Sequence, residues 1–231
     1  MVERLLQKAR KFNVLRHIRG IESRDFSLIA SNCTGTLPYR FLNMPYLSPT
    51  VNLFFFAPDY IKFASRLEHY LSQPLTFKKT SMYAEGRETH QNHGQYPIGL
   101  LDDIEIHFMH YTSEADAKLK WDRRAARVNF NNLIFTFTDR DLCTPDLIRQ
   151  FNELPGRKLL LTSKPMPWIP CAVPVPAYRG CSEVGDAYTR YDYLTHVNYR
   201  GLVDGNTQTP CLFASTSGIP TEHSLARPLS S

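Results

Sequence analysis

The chain has 231 residues, 42% of them hydrophobic and 12% aromatic, with a formal charge of +5. That length suits one large domain, and the apolar content is too high for a disordered chain. No apolar run reaches the roughly 18 residues of a membrane-spanning helix, and so modest a charge gives no reason to expect a nucleic-acid partner.

The five cysteines (Cys33, Cys143, Cys171, Cys181, Cys211) contain no C-x-x-C pair, which argues against structural zinc. The start lacks an apolar signal core, so a reducing cytoplasm is the expected compartment.

Residues 1–20 hold Arg4, Lys8, Arg10, Lys11, Arg16 and Arg19 against Glu3. Val2, Leu5, Leu6, Ala9 and Phe12 share one face of a predicted helix over residues 2–18. It either packs on the domain or lies on an anionic membrane surface, a peripheral contact at the inner face of the membrane. Residues 26–30 read as the first strand. Ser31, Asn32, Cys33 and Gly35 follow it, small residues that let a turn approach a ligand phosphate or simply make a turn. Residues 51–57 read as a second strand. A helix through Ile61, Phe63, Ala64, Leu67 and Leu71 ends at Pro74. Residues 78–95 lack periodicity and read as a loop or hairpin. His90 and His93 there have no third metal ligand at a known spacing.

Ile104, Ile106 and Phe108 alternate with polar residues as in a strand, and Ser113 with Asp116 opens a helix. That helix carries Ala117, Trp121, Ala125 and Val128 on one face and Lys120, Arg123, Arg124 and Arg127 on another. Residues 133–138 form the next strand, and strand–helix–strand predicts a parallel pair. A helix over 146–154, a strand over 158–162 and a proline-tolerant edge strand over 171–175 follow. The tyrosines at 188, 191 and 193 suggest a helix continuing to Tyr199. Residues 21–204 are read as a single α/β domain with a mainly parallel sheet, a Rossmann-like open sandwich flanked by helices. Residues 205–231 are read as a disordered tail.

Ligands of open parallel sheets sit beyond the carboxyl ends of the strands. Glu105 and His107 share a strand face, where a carboxylate can orient an imidazole for acid–base work or merely pair with it. Asp139-Arg140-Asp141 ends a strand. Its two carboxylates can share Mg²⁺ or Mn²⁺ and so hold a diphosphate, or Asp141 can cap a helix while Arg140 satisfies both acids. The arginines of the basic stripe, with Arg140 and Lys164, suit phosphate or carboxylate contacts, although such stripes are more often solvated.

The blocks Ser31-Asn32-Cys33, Asn52-Leu53-Phe54-Phe55-Phe56 and Pro58-Asp59-Tyr60-Ile61-Lys62-Phe63 form a recognisable series. Tyr96-Pro97-Ile98-Gly99, Asp103-Ile104-Glu105-Ile106-His107-Phe108, His110-Tyr111 and Trp121-Asp122-Arg123-Arg124 continue it. Asp139-Arg140-Asp141, Cys143-Thr144 and Thr162-Ser163-Lys164 complete it. Over residues 24–203 the chain resembles the bacterial family called domain of unknown function 1919, whose members are often labelled exopolysaccharide or capsular polysaccharide biosynthesis proteins. Three departures stand out: Leu142 where a Gly is usual, a longer loop after Tyr83, and the tail after Asp204. The Leu142 change puts a tight turn beside Asp141, and with it a rigid D-x-D site, in question.

The resemblance implies work on a cell-surface glycan, and the leading expectation is a transferase of surface-polysaccharide assembly, acting on a sugar nucleotide or glycan intermediate. In that scheme Asp139 and Asp141 hold metal or phosphates, Arg123 and Arg127 neutralise charge, and Glu105 with His107 moves protons. Asn32 and Gly35 line the pocket. The alternatives are a non-catalytic regulator or scaffold of the same pathway, and an acyltransferase or hydrolase using Cys33 with His107.

Overall fold

A computed structural model describes residues 2–18, 20–92 and 94–205. His93 and all but the first residue of the expected tail lie outside them. The first helix, α1 (Val2–Ile18), buries Val14 and Ile18 but leaves Phe12 63% exposed. Ala9 and Phe12 of the apolar face expected from the sequence are therefore not on the packed side. Val14 and Ile18 are one turn apart, whereas Phe12 is two residues from Val14 and points nearly the opposite way. Ala9 is exposed with Phe12, and the side chains of Val2, Leu5 and Leu6 are outside the description.

The main sheet is parallel throughout. β1 (Ser27–Ala30) pairs with β5 (Leu133–Thr138), β5 with β6 (Arg157–Thr162), and β6 with the edge strand β7 (Ala172–Pro174). Alternate residues point to opposite faces, and both faces are covered. Leu28, Ile134, Leu159 and Leu161 join α1, α2 (Thr36–Phe41) and α9 (Tyr199–Val203) in one core. Ile29, Phe135, Phe137 and Leu160 join α3 (Ala57–Ser65), α6 (Glu114–Ala125) and α7 (Pro145–Glu153) in the other. Burial on both faces explains why apolar residues stand at consecutive positions of these strands, as in Leu28-Ile29 and Leu159-Leu160-Leu161. Each fully buried Leu, Ile or Phe contributes about 1.5–3 kcal/mol. The α/β class read from the sequence is the observed one.

A second, antiparallel sheet holds β2 (Thr76–Lys78), β3 (Ile98–Leu101) and β4 (Ile104–His107). This corrects the expected parallel pairing of residues 104–108 with 133–138. β4 follows β3 through a tight turn with Asp102 at φ 52°, so it pairs locally and leaves β5 to the other sheet. Residues 51–57 do not form a strand either. Among the described residues their β pairing is limited to the isolated bridge Phe54–His107, and Asn52 at φ 61° bends the segment. The helix expected to run to Leu71 breaks at Arg66 (φ −134°, ψ 44°) into α3 and α4 (Leu67–Ser72). The supposed loop over 78–95 contains α5 (Ala84–Asn92). The tyrosine segment holds α8 (Ala187–Arg190) and a 3-10 turn, separated by Tyr191 at φ 37°, rather than one helix. The helix starts at Ser113 and Thr144 are as expected: their hydroxyls accept from Asp116 N at 3.1 Å and Leu147 N at 3.3 Å.

Candidate functional site

A cleft of about 770 Å³ opens beyond the carboxyl ends of β1 and β5, where an open parallel sheet places its ligands. Asn32, Cys33 and Thr34 follow β1, and Thr138, Arg140, Asp141 and Leu142 surround the end of β5. Phe54 and Phe56 form an aromatic wall, Met109 and His110 follow β4, and Glu85 and Thr89 come from α5. Residues 183 and 185–189 close the remaining side. Four carboxyl groups (Glu85, Asp141, Glu183, Asp186) face one guanidinium, Arg140.

Asn32 ties the two strand ends together. Its amide donates to Thr138 Oγ1 at 2.9 Å, and its Oδ1 accepts from Thr34 N and Thr34 Oγ1. Gly35 is needed for close approach, because a Cβ there would lie 2.4 Å from Ala30 Cβ. It packs against β1 and does not line the cleft. Ser31 is buried, its backbone bonded to Thr136 and Phe55, and does not reach the cleft either.

Cys33 is on the lining, with its thiol 3.8 Å from Leu53 O. Burial, then the charge of Asp186, pushes that thiol up to about 12, so it stays protonated at neutral pH. Its supposed partner His107 is fully buried behind the aromatic wall. Phe54 stacks on the imidazole at 4.5 Å and Phe56 meets it edge-on at 5.0 Å. His107 Nδ1 contacts the Tyr96 hydroxyl at 3.1 Å. Its Nε2 lies 3.4 Å from Glu105 Oε1 without the direction of a hydrogen bond. Cys33 and His107 therefore form no dyad.

Glu105 is also fully buried, and its carboxylate organises the loop before α5. It accepts from Lys78 Nζ at 2.8 Å, Ser81 Oγ at 2.7 Å and Met82 N at 2.6 Å. Burial alone would raise its pKa. The nearby His107 imidazole and the bonds from Lys78, Met82 and Ser81 together outweigh that and bring it to about 2. Sequence analysis expected a catalytic pair here, and the fold uses Glu105 and His107 as support behind the cleft. Burial raises Asp59 in the same cluster, against its bond from Glu105 N at 2.9 Å.

Asp139-Arg140-Asp141 divides its labour. Asp139 Oδ2 accepts from Ser163 N and Ser163 Oγ, and its Oδ1 accepts from Val184 N at 2.7 Å. Arg140 donates to Gly185 O, and its Nε sits 3.0 Å from Asp141 Oδ2, an ion pair without hydrogen-bond direction. Only Arg140 and Asp141 line the cleft. With three donors on Asp139 and a guanidinium on Asp141, the two acids do not present a joint pair to a cation, so the residues do not fit a D-x-D metal site. Among the described residues no three His, Cys, Asp or Glu side chains form a metal cage. Asp141 and Leu142 have consecutive positive φ values of 59° and 67°, so the tight turn forms without the glycine.

The basic stripe of α6 does not reach the cleft. Arg123 and Arg127 are exposed on the surface, as is Lys164. Arg124 is buried, donating to the Tyr111 hydroxyl at 2.6 Å and stacking over Tyr46.

The family model described as a domain of unknown function, DUF1919, matches residues 4–204. This chain belongs to that family. The DUF1919 match spans every strand and every cleft residue. The chain is also similar to an uncharacterized protein of Haemophilus influenzae, 32% identical over 211 residues, covering 86% of this chain and 97% of that relative.

The DUF1919 cleft contains residues that motif reasoning passed over. Glu183 and Asp186 flank Gly185 in a short irregular stretch, and Phe54 and Phe56 were hidden in an apolar run taken for a strand. The glycines at 180 and 185 were the only sequence signal of a turn there. Burial raises the Asp141 carboxyl despite Arg140, and partial desolvation at the exposed cleft rim, with nearby Asp141 and Asp139, raises Glu183. Burial opposes ionisation of Asp186 as well, but bonds from Thr189 hold it below the usual range. Two carboxyls held above the usual range and one held below it thus line the same cleft, a spread that suits separate acid and base roles.

Proposed function

We propose that this DUF1919 protein is a transferase of surface-polysaccharide assembly whose cleft holds a sugar ring. The observation that carries this is the convergence of Asp141 and Glu183, both raised, on a cleft walled by Phe54 and Phe56. Aromatic faces pack against the C–H faces of sugars, and carboxyl groups bond their hydroxyls. The Arg140 charge is already taken by Asp141, so the sugar fits the cleft better than donor phosphates do. Glu183 takes the proton of an acceptor hydroxyl as that oxygen bonds to the donor carbon, and the leaving group departs with the electron pair of the broken bond. Asp141, steadied by Arg140, fixes a neighbouring hydroxyl. A cytoplasmic site at the inner membrane face suits such an activity.

The test is a thermal-shift screen of sugar nucleotides and neutral oligosaccharides, each with and without Mg²⁺ or Mn²⁺, followed by transfer of radiolabelled sugar. A bound sugar raises Tm by mass action. Glu183→Gln is expected to lower transfer about 10²–10⁴-fold with binding kept within a few-fold. Transfer that survives both Asp141→Asn and Glu183→Gln overturns the assignment.

One observation favours peripheral membrane contact in addition. Phe12 projects from α1 at 63% exposure, with Lys8 and Lys11 exposed beside it. An apolar ring among basic residues suits an anionic lipid surface.

A further inference from the structure

We propose that Asp139 is a positioning residue, which pins the strap of residues 181–187 across the mouth of the cleft and so holds Glu183 at its rim. This rests on the role given to Glu183 above. Asp139 leaves the end of β5, its own N–H bonded to Leu161 O at 3.1 Å. One carboxylate oxygen takes both Ser163 donors at the end of β6, and the other takes Val184 N at 2.7 Å. The carboxylate is thus the junction of two core strands and the strap. Arg140 adds a second tie, its guanidinium donating to Gly185 O at 3.0 Å. Upstream, Gly180 turns the chain at φ 86°. Downstream, the Asp186 carboxylate caps α8 through Thr189 N at 3.0 Å. Glu183 itself is exposed, so its place depends on the anchored Val184 and Gly185 that follow it. Val184 is fully buried, which fixes the depth of the strap, while the Asp139 bond fixes its position along the cleft.

The experiment needs no ligand. Amide hydrogen exchange and the ¹³C titration of the Glu183 carboxyl are followed in the full chain, in Asp139→Asn, which keeps one acceptor oxygen for Val184 N, and in Asp139→Ala, which keeps none. Bonds to a charged acceptor are strong. Asp139→Ala is expected to speed exchange at Val184 and Gly185 about tenfold or more, and to bring Glu183 nearer an ordinary glutamate. Asp139→Asn should fall between it and the parent, and β1, β5 and β6 should keep their protection. Three results overturn the proposal: strap exchange unchanged in Asp139→Ala, a Glu183 titration that moves while strap exchange does not, or an equal loss of protection in the core strands. A cleft that binds no sugar would remove the transferase assignment and leave the exchange result standing.

Discussion

At the scale of single residues, the turn after β5 stores strain. A non-glycine residue in the left-handed region costs about 1–2 kcal/mol, and Asp141 and Leu142 occupy it in succession. The surroundings hold the turn, with Ala57 N bonded to Asp141 O at 2.8 Å. Leu142→Gly should therefore stabilise the protein by roughly 0.5–1 kcal/mol, part of the relieved strain being offset by glycine's freedom in the unfolded chain. Urea unfolding measures this, and a loss of stability would mean that Leu142 packing outweighs its backbone. Glu105 carries a pH signature. Its folded pKa, about 2, lies below the ordinary value of 4.5, so its stabilisation is complete above about pH 4.5 and vanishes as pH falls toward 2. Glu105→Gln should cost about 3 kcal/mol at pH 7. The gap from the parent should narrow at pH 4 and narrow further at pH 3, with unfolding curves at the three values as the check. A gap independent of pH would rule out the ionised carboxylate as its source.

At the scale of elements, α5 is seated by a glycine. A Cβ on Gly86 would lie 2.3 Å from Ser81 Oγ and 3.0 Å from His107 Cε1. Gly86→Ala should push α5 outward and destabilise the fold by about 1–3 kcal/mol. Because Glu85 and Thr89 ride on α5, the same variant should weaken sugar binding, which calorimetry with the best ligand of the screen would show. The sequence revealed those elements whose signals are local. Ser113 and Thr144 announced their helices by capping, and the strands of the parallel sheet showed as short stretches rich in β-forming residues between helices. It hid what depends on distant partners. Residues 51–57 carry a strand composition, but only Phe54 finds a β partner. β4 was legible as a strand, yet whether it joined β3 or β5 depended on a two-residue turn against a long crossover. The carboxylate of Glu105 looked chemical because its three donors come from residues 78–82, which have no periodic pattern. Glu183 could not be found because nothing in its neighbours states that Asp139 lies beneath them.

At the scale of the whole molecule, no helix among the described residues is long and apolar enough to cross a membrane. The proposed membrane contact rests instead on the exposed Phe12 of α1. Phe12→Ser should leave Tm within about a degree, since the residue is exposed. It should lower co-sedimentation with vesicles containing anionic lipid several-fold, through loss of the apolar anchor. Val14→Ser, on the buried side, should do the reverse, lowering Tm with little direct effect on lipid. Equal sedimentation of the parent and Phe12→Ser would remove α1 as an anchor.

The aromatic wall has a mechanical consequence. Phe54 faces the cleft on one side and lies flat on His107 of β4 on the other, while the opposite wall grows from β1 and β5. Among the described residues no ladder of β hydrogen bonds joins those two sheets. A guest between them acts as a keystone across a joint, so the molecule should stiffen along that seam when filled, and the imidazole behind the ring should report the event from inside the protein.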